Sequence, residues 1–442
     1  MNSWLEHQFK LSERKTDVRT EVFAGITTFM TMAYIIFVNP DLLSKTGMPF
    51  GALMVSTCLA AAFATILMAF MANYPIALAS GMGLNAFFAF TVVLGMGVSW
   101  EVALAAIFVE GIFFIILTLT KLRESIVNSI PMSLKYGITA GIGLFIAFIG
   151  FQGGGLVVDN PATLVGGAPL KDNLPALLTV AGLIVIGALE AFRVRGAILW
   201  GIIIITVVAI PLGVAPLPSG IVSMPPSIMP ILGKLDFSYV GFNFADPGVA
   251  NFWIVVFTFF FVDFFDTVGT LVGVSSRAGL LDERGNLPQA REALLADAIG
   301  TTAGAVLGVS TVTSYVESAA GVGVGGRTGL TALVTAILFL LAIFFNPIIS
   351  IVPSCATAPA LIFVGVYMMM GVTNIKFDDW TELLPSIMAL FAMPFAYSIA
   401  SGIEYAVITY AGVKLLSGKA KDVSVVMWFL AIVFVAKEIF IG

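Results

Sequence analysis

Charge is what this sequence has least of. Charged residues make up 11% of the chain and hydrophobic ones 59%, against about 25% and 45–50% in a soluble domain. A chain so composed cannot cover a water-facing surface, and it carries no basic stripe of the kind that grips nucleic acid. Histidine is almost missing. The one present, His7, lies in the N-terminal tail, so no imidazole stands in the apolar segments. Cysteine is nearly as scarce. Cys58 and Cys355 fall within apolar segments far apart in sequence, which suits small core residues rather than a disulfide or a metal site. No metal and no cofactor is expected.

What is present is apolar sequence in repeated runs of 17–25 residues over a chain of 442. That pattern describes an all-α polytopic membrane protein. The polar tail, residues 1–21, reads as an amphipathic surface helix without the apolar core of a cleavable signal. A first span is expected over 22–38, stopping at Asn39-Pro40 because proline cannot continue the helix. Further spans are expected near 52–71, 76–94, 101–119, 134–151, 174–191 and 196–213. A loop rich in proline and glycine follows at 214–248, then spans near 249–273, 293–309, 313–326, 329–346, 352–371, 382–399 and 402–416. That makes fourteen, seven in residues 22–213 and seven in 249–442, with the stretch 424–440 either crossing or lying in the interface.

Basic residues sort to one side of this layout. Arg14, Lys15, Arg19, Lys121, Arg123, Lys135, Arg193, Arg195, Arg277, Arg284, Arg291 and Arg327 fall in the tail or in alternate loops. The opposite loops hold Lys45, Lys171 and Lys234, each close to an aspartate. The positive-inside rule then puts the N-terminus in the cytoplasm. Lys414, Lys419 and Lys421 fall on the same side if 382–399 and 402–416 form a hairpin.

Against that background four acids stand out. Asp263 and Asp266 lie in TFFFVDFFDTVGTLVGV, Asp297 in LLADAIGTTAGAVLG, and Glu317 in TSYVESAAGVGVGG. An ionised side chain at the centre of a membrane helix costs roughly 2.5–3.5 kcal/mol, so several together point to binding. Asp263 and Asp266 are three residues apart and share a helix face. Two buried acids repel and lose hydration, so at least one is expected to hold a proton, and no basic residue in these spans neutralises them. Asp297, near the start of its span, suits a backbone-bonding role equally well.

The halves also resemble one another weakly. TTFMTMAYIIF in the first span faces TFFFVDFFDTV in the eighth, and LASGMGLNAFFAF in the third faces SYVESAAGVGVGG in the tenth. Seven spans per half is odd, so the halves would have opposite orientation, the inverted-repeat plan of secondary transporters with broken helices at the midplane. Glycines there let the backbone unwind and offer its polar groups to a ligand, and Asn85 adds a donor and an acceptor in one plane.

The segments TTFMTMAYIIFVNP, SGMGLNAFFAF, FVDFFDTVGT and TSYVESAAGVGVGGRTG together resemble the purine permeases of the nucleobase–cation symporter-2 superfamily, nearest the AzgA-like adenine, guanine and hypoxanthine branch. The resemblance covers essentially the whole chain. It implies a seven-plus-seven fold with a core domain of spans 1–4 and 8–11 and a gate domain of spans 5–7 and 12–14. It also implies short strands in spans three and ten, and proton-coupled purine uptake across the cell membrane. By position it implies substrate contacts from Gly83, Asn85, Asp263, Asp266 and Glu317, and proton coupling through Asp263, Asp266, Asp297 and Glu317. Glu317-Ser318 replaces the Glu-Asn of other branches, which fits purines rather than uracil or xanthine. A homodimer is one assembly open to such a chain, and lipid its surroundings. Two rivals are an anion transporter of the same fold, which would want cationic surroundings, and an intramembrane aspartyl protease. The protease needs acids from two helices, whereas Asp263 and Asp266 share one and no Gly-x-Gly-Asp stretch occurs.

Overall fold

A computed structural model of the chain describes residues 2–120, 131–243, 246–280 and 287–440. Lys121, Arg123 and Arg284 lie outside them. In hydrocarbon every backbone polar group must be bonded within the protein, and the apolar runs accordingly wind into helices. In chain order the segments are Val18–Met32 with Ile35–Ser44, Phe50–Leu67, the broken third segment, Trp100–Leu119, Met132–Gly153, Leu174–Ala191 and Ala197–Ala209. After the irregular loop come Pro247–Ala278, Ala290–Leu307, the broken tenth segment, Gly329–Ala342, Ser354–Met369, Trp380–Phe395 and Ile399–Leu416. A further helix, Val425–Phe440, occupies the stretch left open by the sequence. Nine helices among the described residues are long and apolar enough to cross a membrane, and four more are shorter and apolar. Polar caps fix several starts: the Ser99 and Asn173 side chains accept from the amides of Val102 and Ala176, satisfying donors that the first turn leaves free.

Two broken segments set the centre. Strand β1 (Leu78–Ser80) precedes a helix from Met82 that widens into a π-helix over Phe87–Gly95. A peripheral hairpin, β2 (Val157–Asn160) with β3 (Leu164–Gly167), lies elsewhere in a connecting loop. Strand β4 (Val312–Ser314) precedes the short helix Ser318–Gly323. β1 and β4 pair antiparallel, Leu78 opposite Ser314 and Ser80 opposite Val312. The strands of the third and tenth segments thus complete each other's backbone bonds in the middle of the helical body.

The packing maps onto itself when the halves are exchanged. The fourth segment packs on the eighth and ninth, and the eleventh on the first and second. The fifth lies along the twelfth, with the thirteenth against the fifth and the sixth against the twelfth. The closest approach on that axis is glycine to glycine: a Cβ at Gly143 would sit 2.5 Å from the Gly365 carbonyl oxygen, which no side chain permits. Segments thirteen and fourteen form the expected hairpin, its open end held by Lys414 Nζ to Glu382 Oε1 at 2.8 Å.

Two expectations need correcting. Pro40 does not end the first segment. The helix gives way earlier, at Ala33–Tyr34, where the amides of Ile36 and Phe37 bond back only three residues to the carbonyls of Ala33 and Tyr34. A new helix starts there and holds Pro40 in its second turn, and the break leaves Tyr34 buried and turned inwards. The N-terminal helix, Asn2–Phe9, is not simply laid on a surface. Phe9 is wholly buried against Leu11, Ala69, Leu330 and Ala332, where its ring buries a large apolar area.

Candidate substrate cavity and buried acid network

A cavity opens where the two broken segments meet the first, eighth and twelfth. Its polar wall is Tyr34, Asp266, Thr270 and Glu317, and its apolar wall includes Val316 and Met368. Glu317 stands at the start of the short helix but caps no backbone amide. Its carboxylate instead accepts from the Tyr34 hydroxyl at 2.7 Å, and its carbonyl oxygen lies 3.3 Å from Thr31 Oγ1. Asp266, half-buried, takes a hydrogen bond from Thr313 of β4. Val316 is 55% exposed, a large apolar side chain without cover on the cavity side. A second hollow of about 130 Å³ also touches Glu317 and runs to Glu190, Gly196 and Tyr367, on the side of the Arg193 and Arg195 loop.

Behind β4 lies a second, wholly buried group of acids: Glu110, Asp263 and Asp297, from the fourth, eighth and ninth segments. The Thr267 hydroxyl is 3.0 and 3.1 Å from the two Asp297 oxygens, and Ser314 Oγ donates to Asp297 Oδ1 at 3.2 Å. Thr267 also lies 3.4 Å from Asp263 Oδ1 and 2.9 Å from the Thr313 hydroxyl. The Glu110 and Asp263 carboxyls are hydrogen-bonded to each other.

A profile described as a permease family matches residues 19–405. An adenine permease of Escherichia coli is 44% identical over 437 residues, 99% of this chain and 96% of that protein. A guanine/hypoxanthine permease of Bacillus subtilis is 45% identical over 442 residues, 98% of this chain and 99% of its own length. The chain belongs to the nucleobase–ascorbate transporter family of permeases. Among solved structures the transmembrane domain of a cyanobacterial bicarbonate transporter is similar in fold. Its TM-score is 0.63 at 16% identity, with 88% of this chain and 97% of that one covered.

In this permease the expected site residues divide. Gly83, Asp266 and Glu317 line the cavity. Asp263 and Asp297 do not; they belong to the buried group. Three residues on a helix advance about 300°, so side chains at 263 and 266 diverge by about 60°, enough for one to face β4 and the other the cavity. Asn85 is also away from the cavity. Fully buried, it accepts from Ser80 Oγ at 2.6 Å and reaches the Ser80 carbonyl at 3.4 Å, holding the end of β1. Tyr315 donates to the same Ser80 carbonyl. Sequence reasoning passed over Glu110, Tyr34 and Tyr315. Glu110 had a signal, being an acid inside a helix-length apolar run. The tyrosines had none, since an aromatic in a membrane segment is ordinary.

Proposed function

We propose that this permease imports purine nucleobases, hypoxanthine, guanine and adenine, by proton symport with alternating access. The observation that carries this is the Glu317 carboxylate, held by Tyr34 at the cavity beside half-buried Asp266 and an apolar wall. A purine is a flat apolar body with N–H groups on its edge. A positioned carboxylate accepts from such an edge, and the apolar side chains cover the ring faces. The named substrates of the adenine and guanine/hypoxanthine relatives support the choice of purine. The bicarbonate transporter shares only the fold. An anion would meet two acids here, and no lysine or arginine is among the described residues that line the cavity. Membership of a permease family speaks against the protease reading.

In this reading segments one to four and eight to eleven form the core that carries the site, and segments five to seven and twelve to fourteen the gate. Contacts within each group are dense and those between the groups sparser, as a moving boundary requires. The protein sits in the cell membrane with its N-terminus in the cytoplasm. Uptake of labelled hypoxanthine, in competition with unlabelled bases and with a protonophore added, tests the reading. Guanine should compete well and uracil poorly, and the protonophore should abolish accumulation. Equal competition by uracil, or accumulation that ignores the protonophore and follows a sodium gradient, would sink the corresponding part.

A further inference from the structure

The sequence gives no reason to link Glu110 to the cavity, but the structure does. Glu110 stands inside the apolar helix Trp100–Leu119. The next residue brings that helix onto the ninth segment: a Cβ at Gly111 would come 3.0 Å from the Thr302 amide nitrogen. Glu110 is thereby pressed among Asp263 of the eighth segment, Asp297 of the ninth, and Thr311 just before β4. Glu110 and Asp263 are both 0% exposed. No amide or hydroxyl among the described residues donates to Glu110 Oε1 or Asp263 Oδ2. The contact to Glu110 Oε2 from Thr311 Oγ1 is long, at 3.5 Å. The two carboxyls bond to each other instead. Ionised carboxylates only accept, so that bond requires a proton on one of them. Asp297 differs, since hydroxyls of Thr267 and Ser314 serve it as they would a carboxylate.

The pair is also wired to the cavity. Asp263 is next to Thr267, Thr267 next to Thr313, and Thr313 bonded to Asp266 at the cavity wall. We propose that Glu110 and Asp263 are a proton-holding pair, exchanging one proton with Asp266 through the Thr267 and Thr313 hydroxyls, and that Glu110 is a coupling residue of this permease. When the proton passes inwards, the O–H bond at Asp266 breaks and Asp266 becomes a carboxylate. The pair goes from two negative charges to one, each hydroxyl giving a proton on one side and taking one on the other. In a dry interior two adjacent unshared charges are disfavoured, so the pair takes up its proton readily. The inference rests on the proton-coupled purine reading above, but its test separates the two.

Purified wild type, Glu110→Gln, Asp263→Asn and Thr313→Val are placed in liposomes, and purine counterflow is measured beside accumulation driven by a pH gradient. Infrared spectra of the same proteins report the protonated carboxyl C=O band. Glu110→Gln should bind and exchange hypoxanthine yet lose accumulation, and the band should be lost in both Glu110→Gln and Asp263→Asn. Thr313→Val should keep the band and slow accumulation. Asp263→Asn decides the matter if Glu110→Gln does not fold. Accumulation by Glu110→Gln equal to wild type, or a band unchanged in both acid variants, overturns the pair. A wild type that exchanges no purine overturns the function reading instead, and the infrared result still decides whether the pair holds a proton.

Discussion

Five acids sit near β4, and they live in two environments a few side chains apart. Asp266 and Glu317 border open space, half-buried, with one hydroxyl donor each accounted for. Glu110, Asp263 and Asp297 are sealed, and their oxygens meet hydroxyls or each other. An acid with unused lone pairs at a cavity can greet a ligand; a sealed acid can only hold a proton or anchor hydroxyls. The contrast teaches that a short strand, rather than a helix face, separates the cavity acids from the sealed ones in this fold. Thr313 of β4 bonds to Asp266 on one side and, on the other, to Thr267, whose hydroxyl also reaches Asp297.

The sharpest way to break the contrast is to remove a sealed acid outright. Asp297→Ala strips the Ser314 hydroxyl of its acceptor and leaves Thr267 with the Thr313 hydroxyl at 2.9 Å and Asp263 Oδ1 at 3.4 Å. An orphaned buried group costs about 1–3 kcal/mol, so a loss of about 2 kcal/mol is expected. Thermal unfolding in detergent should show a markedly lowered Tm, and an unchanged Tm would refute the anchoring role. At the cavity the effect should fall on binding instead. A hydrogen bond to a charged group is worth about 1.5–3 kcal/mol, so Glu317→Gln should weaken purine binding roughly ten- to a hundredfold, with Tm near wild type. Equilibrium binding to folded protein checks it, and unchanged affinity would remove Glu317 from the site. Tyr34→Phe is a milder probe. It leaves the carboxylate in place but unheld, so affinity should fall about three- to tenfold, roughly 1 kcal/mol; a gain in affinity would mean that Tyr34 competes with the ligand.

The smallest effect is expected far from either group, at the foot of the thirteenth segment. Asp379 caps that helix, accepting from the Thr381 amide at 2.9 Å and hydroxyl at 2.8 Å. Those bonds, with Lys419 at 3.4 Å, hold its carboxyl down to about 2. A depressed acid stabilises the fold above its unfolded value of 3.8 and loses that contribution as pH falls through about 2. Asp379→Asn should therefore lower Tm slightly at neutral pH, and the difference from wild type should vanish as pH approaches 2. A difference that persists there would show that the cap, not the charge, is what matters.

The sequence by itself determined the membrane class, because repeated helix-length apolar runs must satisfy their backbone within the segment once they lie in hydrocarbon. It also located both broken segments, since glycine clusters in apolar runs mark where a helix is cheap to unwind. It marked four of the five acids, because charge inside apolar sequence is costly wherever it lies. The partners of those acids were decided only in the folded chain. Periodicity places Asp263 and Asp266 on one face, but helix packing turns Asp263 towards Glu110, and β4 comes between it and the cavity. Asn85 reads as a ligand-facing amide until the strand pairing gives it Ser80 to hold. Pro40 reads as a stop until the break at Ala33–Tyr34 makes it part of a new helix and aims Tyr34 at Glu317. The period of a helix is local and survives in the sequence. A hydrogen bond between residues 283 positions apart, as between Tyr34 and Glu317, depends on how whole segments pack, and no local pattern encodes it.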